Sequence, residues 1–272
     1  MTTDLLRILI FGAHPDDPDS SAGGLAALYS QAGHRVKMVS LTNGDAGHHT
    51  MGGAPLAWRR RQEAAAAGAC LGAEYITLDH HDGMLLPTLE AREEMIGLIR
   101  EFRPDLVIGP RPYDYHPDHR YTAQLIQDAL YLVTVPNVVS RVPHLRRTPA
   151  AVYAWDPFRK PCPFIPDVVV GIDDVIERKA DALHCHTSQM YEWLPYNRQD
   201  ADPPPEDPHE RRNWLRQHLD PRLRRVANLY RDRLIERYGA EKGRIIAYAE
   251  AFETCEYGAP LTETSLKRLF PF

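Results

Sequence analysis

The chain has 272 residues, of which 43% are hydrophobic and 25% charged, values typical of a globular protein with one large α/β domain or a domain with a helical appendage. Its formal net charge of −5 and its dispersed basic residues argue against nucleic acid as a partner. No segment approaches the roughly 20 apolar residues of a membrane-spanning helix, so we expect no membrane partner. Four scattered cysteines and an N-terminus without a signal-peptide pattern predict reduced thiols and a cytoplasmic location.

Apolar runs that are typical of strands alternate with helix-like stretches along the first half of the chain. In chain order, strands are predicted at 5–11, 36–41, 75–78 and 106–108, and helices at 22–32, 56–71, 89–102 and 121–132. Thr88 is a suitable N-cap for the third helix, and Pro104 follows its end. This order predicts right-handed βαβ units and a mainly parallel α/β sheet with helices on both faces.

The second half of the chain is predicted to add two strands and several helices. The strands are expected at 151–155 and 168–172, and the helices at 174–186, 211–238 and 242–252. Between them, the proline-rich acidic segment 194–209 indicates a linker or an extended surface loop. We therefore predict a catalytic domain over 1–190 and, over 191–272, a proline-rich loop and C-terminal helical extension packed on the core. The final aromatic residues, Phe270 and Phe272, are expected to pack on the body or on a neighbouring subunit, which leaves a homo-oligomer open.

Two short motifs follow predicted strands and carry most of the chemistry. His14–Asp17 reads His-Pro-Asp-Asp after the first strand, and His116–His119 reads His-Pro-Asp-His after the fourth. In an open parallel sheet, ligands bind at the carboxyl ends of the strands. The first turn lacks the GxGxxG pattern of dinucleotide-binding proteins, which makes an oxidoreductase a weak interpretation. Two imidazoles and a carboxylate brought together at this edge predict a three-ligand metal site.

Together with their flanks, these motifs resemble the PIG-L/LmbE-like family of N-acetylglucosaminyl deacetylases over roughly residues 5–189. Ala13–Asp17 matches an AHPDD motif and His116–His119 an HPDH motif, and further matches are Thr42–Gly47, Arg60 with Glu63, Asp82–Gly83 and His186–Gln189. The resemblance implies a Rossmann-like fold and an enzyme acting on non-peptide amide bonds. It also implies that the metal is usually zinc, with another divalent transition metal such as Fe2+ as the alternative.

The resemblance also implies a role for each residue of the two motifs. His14, Asp17 and His119 would bind the metal, which leaves positions open for water and substrate. Asp16 resembles the general base of the family, and His116 resembles the residue that polarises the substrate carbonyl. Amide hydrolysis fits this set, because zinc lowers the pKa of water from about 15.7 to about 7.

Three further residues are candidate substrate contacts. Arg60 and Asp82 match family positions that bind sugar hydroxyls, and the alternative interpretation is an exposed helix arginine and a turn aspartate. Asp114 occupies the place where sugar-thiol deacetylases of the family carry a tyrosine, with Tyr115 next to it. Asp114 is a candidate for substrate binding or for orienting His116.

We therefore expect a zinc-dependent hydrolase that removes an N-acetyl or other N-acyl group from a small sugar or glycoconjugate. One alternative is an amidase of a thiol-sugar conjugate or another small amide. Another is a non-catalytic, metal-binding regulatory protein on the same fold. The presence of both Asp16 and His116 favours catalysis, since a pure binder needs no proton-transfer group beside an open metal.

Overall fold

Seven strands form one sheet in the computed structural model, which describes residues 5–200 and 202–272. In chain order they are β1 (Arg7–Gly12), β2 (Arg35–Thr42), β3 (Glu74–His80), β4 (Leu106–Gly109), β5 (Ala150–Ala154), β6 (Val168–Gly171) and β7 (Ala249–Thr254). Their order across the sheet is β3-β2-β1-β4-β5-β7-β6. All neighbouring pairs are parallel except those of β7, which runs antiparallel to both β5 and β6. The prediction of a mainly parallel sheet is confirmed.

Ten α-helices lie among the described residues, and none of them is both long and apolar enough to cross a membrane. They are α1 (Asp17–Gln31), α2 (Gly53–Leu71), α3 (Leu89–Phe102), α4 (Pro117–Leu132), α5 (Ile176–Cys185), α6 (Leu194–Arg198), α7 (Pro208–Leu229), α8 (Arg231–Tyr238), α9 (Ala240–Ile245) and α10 (Glu263–Leu269). A 3-10 turn (Asp173–Val175) precedes α5, and a π-helical segment (Ser188–Trp193) precedes α6. The predicted N-cap of α3 is confirmed, since the Thr88 side chain accepts a hydrogen bond from the backbone N–H of Ala91.

Helices cover both faces of the sheet. Along β1, Ile8 and Ile10 belong to a core shared with α1, α2 and α5, whereas Leu9 and Phe11 belong to a core shared with α3 and α4. Side chains alternate between the faces of a strand, so a strand buried on both faces is apolar throughout. This burial explains why β1 could be recognised as a continuous apolar run.

The C-terminal segment contributes β7 to the interior of the sheet, between β5 and β6. The predicted helix over 242–252 is therefore wrong, because α9 ends at Ile245 and β7 begins at Ala249. Alanine and glutamate favour helices locally, but the pairing and burial offered by two flanking strands outweigh this preference. The boundary predicted near residue 190 stays a prediction, and the segment beyond it supplies a strand to the same sheet.

The end of the chain packs back onto the body of the molecule. Phe270 is buried with its ring centroid 5.9 Å from that of Phe252 in β7, and the Phe272 ring lies 5.0 Å from that of Tyr29 in α1. The expectation that the terminal aromatic residues pack on the body is confirmed.

Candidate metal and active site

The two predicted motifs meet at the carboxyl ends of β1 and β4, which are neighbours in the sheet. The strand order reverses at this point, because β2 lies beyond β1 on one side and β5 beyond β4 on the other. Such a switch point is where open α/β sheets bind ligands. The turn after β1 requires glycine at position 12, since a Cβ there would lie 2.5 Å from both Asp17 Cβ and Pro18 Cδ. Gly12 thus allows the chain to fold back over the end of its own strand.

Three donor atoms from the two motifs converge in front of this turn. Oδ2 of Asp17 lies 3.3 Å from Nδ1 of His14 and 3.2 Å from Nε2 of His119, and the two imidazole nitrogens are 3.2 Å apart. Three ligands of a tetrahedral zinc ion, each about 2.0–2.2 Å from the metal, stand about 3.3–3.6 Å from one another. The spacing of the predicted ligand set is therefore close to that of a tetrahedral transition-metal site.

Carboxylates lie behind His14, on the side away from the other donors. Its Nε2 is 3.1 Å from Oδ1 of Asp82 and 3.3 Å from Oδ2 of Asp118, without a well-directed hydrogen bond to any described residue. Asp118 is fully buried and accepts the backbone N–H of Gly83 at 2.7 Å. Metal-binding histidines commonly pair their second nitrogen with a carboxylate. Asp118 received no role from the sequence, although its place inside the second motif was a signal for one.

His119 has its own carboxylate partner, Asp114. Oδ2 of Asp114 lies 3.1 Å from Nδ1 of His119, while Oδ1 accepts the backbone N–H of His116 at 2.9 Å. The side chain of Asp114 therefore contacts both histidines of the second motif. Since its partner is Nδ1, Asp114 leaves Nε2 of His119 free to face Asp17 and His14.

The charges of this cluster favour a cation at its centre. Burial disfavours protonation of His119, yet Asp17 and Asp114 raise its pKa to about 10. Burial likewise opposes ionisation of Asp17, yet His119 and His14 hold its pKa well below the usual value. A divalent cation between these groups would also stabilise the ionised carboxylate of Asp17.

Asp16 is next to Asp17 in the chain, but its side chain pairs with Arg60 and not with the histidines. It is the N-cap residue of α1, yet its side chain makes no capping bond, and Oδ1 accepts a hydrogen bond from Nη2 of Arg60 at 2.9 Å. Burial raises the pKa of Asp16, Arg60 opposes the rise, and the adjacent Asp17 adds to it. The pKa values of the adjacent Asp16 and Asp17 are therefore shifted in opposite directions.

Arg60 is buried in the site with only 2% of its surface exposed, so its interpretation as an exposed helix arginine is wrong. Its Nη1 lies 3.7 Å from Oδ2 of Asp82, which places both candidate substrate contacts beside Asp16. The loop after β2 covers the guanidinium at Gly44, which has φ +71, and a Cβ there would lie 2.4 Å from Nη1 of Arg60. A glycine at this position thus makes room for the arginine.

His116 caps the first turn of α4. Its Nδ1 accepts the backbone N–H of Asp118 at 3.2 Å, and burial together with the neighbouring His14 and His119 lowers its pKa. The imidazole is therefore neutral near pH 7 and carries its proton on Nε2, as assigned from this hydrogen bond. A neutral Nε2–H can donate a hydrogen bond to a substrate oxygen.

Polar pairs from distant parts of the chain support the site, and the sequence did not reveal them. Nε2 of His186 lies 2.5 Å from Oδ2 of Asp19, and both side chains are fully buried. Glu63 in α2 accepts hydrogen bonds from the backbone N–H of Ser188 at 2.9 Å and from its hydroxyl at 2.5 Å. Glu63, His186 and Ser188 belong to positions that match the family and Asp19 does not, and all of these pairings could be identified only from the fold.

Comparisons with known proteins place this chain among deacetylase relatives. The family model described as "PIG-L: GlcNAc-PI de-N-acetylase" matches residues 9–130. A diacetylchitobiose deacetylase of Thermococcus kodakarensis is 32% identical over 212 residues, which cover 72% of this chain and 76% of the relative. The structure of N,N'-diacetylchitobiose deacetylase from Pyrococcus horikoshii superposes with a TM-score of 0.69 at 27% identity, covering 93% of this chain and 85% of that one. A 4-oxalmesaconate hydratase of Pseudomonas putida is 27% identical, covering 73% of this chain and 80% of the relative.

Proposed function

Because this chain belongs to the PIG-L (GlcNAc-PI de-N-acetylase) family, we propose that it is a metal-dependent hydrolase that removes an N-acetyl or other N-acyl group from a sugar or glycoconjugate. One observation carries the proposal. The donor atoms of His14, Asp17 and His119 lie 3.2–3.3 Å apart, and the same two motifs carry Asp16, directly before Asp17, and His116, at the start of the second motif. A site that only held a metal would not need both of these additional groups.

His14, Asp17 and His119 would hold the metal, which we propose to be zinc. Bound zinc supplies a Lewis acid for a carbonyl oxygen and a water whose pKa is about 7. The imidazole and carboxylate donors suit zinc, and other divalent transition metals such as Fe2+ use the same donor types.

Asp16 is proposed as the general base and then the general acid. The hydrogen bond from Arg60 to Oδ1 fixes the orientation of its carboxylate. Its raised pKa makes the carboxyl a better proton acceptor than an exposed aspartate. Asp16 takes a proton as water attacks the amide carbon and returns it to the departing amine.

His116 is proposed to stabilise the charge that develops on the carbonyl oxygen. Its Nδ1 is occupied by the N–H of Asp118, so its Nε2–H is the group that donates. One such donor typically lowers an acyl-transfer barrier by about 2.7–4 kcal/mol.

Arg60 and Asp82 are proposed to contact sugar hydroxyls, for which a guanidinium and a carboxylate are strong partners. The two side chains lie 3.7 Å apart and next to Asp16, so a hydroxyl that contacts them is close to the base. Asp114, the third candidate, engages His116 and His119 with both oxygens. We propose that it affects substrate binding mainly by orienting His119.

The hydratase relative provides a competing function, and the charge of the site argues against it. Oxalmesaconate is a carboxylate, whereas the site presents the five carboxylates of Asp16, Asp17, Asp82, Asp114 and Asp118. Arg60 is already paired with Asp16. A divalent metal ion and Arg60 would offset only part of this negative charge, so an anionic substrate would meet repulsion that a neutral N-acetyl sugar would not.

Acetate and free amine released by the zinc-loaded protein test the proposal. The panel comprises N-acetylglucosamine, N,N'-diacetylchitobiose and an N-acyl thiol-sugar conjugate, with 4-oxalmesaconate as the hydratase substrate. We expect acetate and amine in equal amounts from an N-acetyl sugar, and loss of both after chelation. Cleavage of the thiol-sugar amide alone would favour the amidase. Hydration of oxalmesaconate alone would favour the hydratase. Metal binding without any turnover would favour the regulatory protein.

A further inference from the structure

Tyr115, on the loop after β4, stands beside both histidines of the second motif, and Phe158, on the loop after the neighbouring strand β5, lies next to Tyr115. The ring centroid of Tyr115 lies 5.7 Å from that of His116, 5.9 Å from that of His119 and 6.2 Å from that of Phe158. Tyr115 is nevertheless 74% exposed. A largely exposed aromatic ring thus adjoins the place where the amide must react.

The backbone that carries Tyr115 is fixed by an arginine. Nη1 of Arg120, in the first turn of α4, donates to the carbonyl oxygen of Asp114 at 2.7 Å and to that of Tyr115 at 3.0 Å. The exposed ring is therefore attached to a segment held by two hydrogen bonds and by the cap of α4.

A second, buried arginine fixes the loop that carries Phe158. Arg111, 3% exposed, pairs with both oxygens of Asp156 at 2.6 and 2.7 Å. Its guanidinium also donates to the carbonyl oxygens of Phe158 at 2.9 Å and Cys162 at 3.2 Å. The backbone of Phe158 is therefore anchored, with its ring next to that of Tyr115.

Folding stability does not account for this arrangement, since a ring so exposed gains little from burial. Rigid exposed aromatic rings at the edge of a polar site are typical of ligand recognition. One face of a pyranose ring consists of C–H groups, which pack on an aromatic ring while the hydroxyls stay hydrated. The neighbouring carboxylate of Asp114 disfavours an anionic group at this position.

We propose that Tyr115, supported by Phe158, binds the second sugar ring of the substrate and makes the enzyme prefer an N-acetyl sugar that carries a further neutral sugar residue. The assignment rests on the proposed N-deacetylation. It adds a specificity-determining residue outside the metal, base and oxyanion groups.

Steady-state kinetics on N-acetylglucosamine and N,N'-diacetylchitobiose test the assignment with zinc-loaded protein. For Tyr115→Ala we expect KM for the disaccharide to rise about tenfold, which corresponds to about 1.4 kcal/mol of lost binding free energy. We expect kcat for the disaccharide and both constants for the monosaccharide to stay within about twofold. Tyr115→Phe should behave like the wild type, since the ring face is retained. Tyr131→Ala, which removes a tyrosine that is 70% exposed near the far end of α4, is the matched control.

The assignment would be overturned if Tyr115→Ala reduced the kcat/KM of both sugars equally or lost its bound zinc. It would also be overturned if the KM for the disaccharide did not change. Absence of acetate release from either sugar by the wild type would instead overturn the proposed function. In that case, calorimetric titration of zinc-loaded Asp16→Asn protein with the disaccharide, with and without Tyr115→Ala, still decides the role of the ring. Weaker binding in the double variant supports the assignment and equal binding overturns it.

Discussion

At the residue scale, adjacent aspartates in one turn have opposite electrostatic environments. Asp17 faces His14 and His119, which hold its pKa well below the usual value despite its burial. Asp16 faces Arg60, and burial raises its pKa in spite of this cation. Two carboxylates whose pKa values move apart are suited to different tasks, one as a permanently ionised ligand and one as a proton carrier.

Asp16→Asn should therefore separate turnover from metal binding. We expect bound zinc close to the wild-type level and a fall in kcat of about 10²–10⁴-fold, the range that general base catalysis contributes. Elemental analysis and acetate release measured on the same protein check this, with Asp79→Asn, whose side chain is 82% exposed, as the control. Turnover near the wild-type rate in Asp16→Asn would rule out the base.

Asp114→Ala should weaken the metal site without removing a ligand. Its carboxylate lies 3.1 Å from Nδ1 of His119, and loss of such a partner typically lowers metal affinity about 10–100-fold. Competition with a chromophoric chelator measures the affinity directly, with His119→Ala as the variant that loses the metal. An unchanged affinity in Asp114→Ala would show that Asp114 acts elsewhere, for example on substrate.

The sequence was sufficient to predict that the two motifs meet at one edge of the sheet, because their residue types and their place after strands were both visible. The environment of Arg60 was not predictable in the same way. Its burial depends on the backbone of Gly44, which approaches it from another loop. The pairing of Asp19 with His186 depends on two segments that meet only in the folded chain.

At the element scale, β7 is tied to the helix that begins the site. Helix α1 departs from helical geometry at Ala22, and Glu250 of β7 accepts the backbone N–H groups of Gly24 at 2.8 Å and Leu25 at 2.7 Å just beyond it. Lys179 of α5 completes the pair at 2.6 Å from Glu250, and both side chains are buried. The carboxylate of Glu250 thus accepts N–H groups at the start of the second part of α1, where the break at Ala22 interrupts the helical geometry.

Glu250→Ala should destabilise the protein by about 3–5 kcal/mol, because it leaves Lys179 buried without its partner and two N–H groups without an acceptor. Urea denaturation followed by circular dichroism gives the free energy of unfolding. Glu263→Ala, which removes an exposed ion pair with Lys267, should change it little. Similar values for the two variants would contradict this account.

Strands buried on both faces could be predicted from their apolar runs, and the helices between them from their periodicity and caps. Strand β7 could not, because the residues at 249–253 favour a helix when judged alone. These residues form a strand because β5 and β6 provide hydrogen-bond partners on both of its edges.

At the scale of the whole molecule, the sheet includes a strand that follows the proline-rich segment in the chain. The chain passes through α7, α8 and α9 and then inserts β7 between two strands formed from earlier sequence. A chain that ends at Pro203 would leave β5 and β6 without the strand that joins them.

We therefore predict that truncation at Pro203 abolishes cooperative folding, and not only activity. The truncated chain would expose unpaired strand edges and the apolar positions that Phe252 and Phe270 cover, which favours aggregation. Solubility and urea denaturation check this result. A soluble truncated protein with a sharp unfolding transition would show that the first 203 residues fold alone.

We propose that the cluster of His14, Asp17 and His119 holds one metal ion and that the hydrolysis requires this ion. Titration of metal-free protein with zinc, with acetate release from an N-acetyl sugar measured at each step, tests it most directly. We predict no activity without metal, a rise that ends at about one zinc per chain, and no rise in His119→Ala. Full acetate release from metal-free protein, or an undiminished response in His119→Ala, would contradict the account.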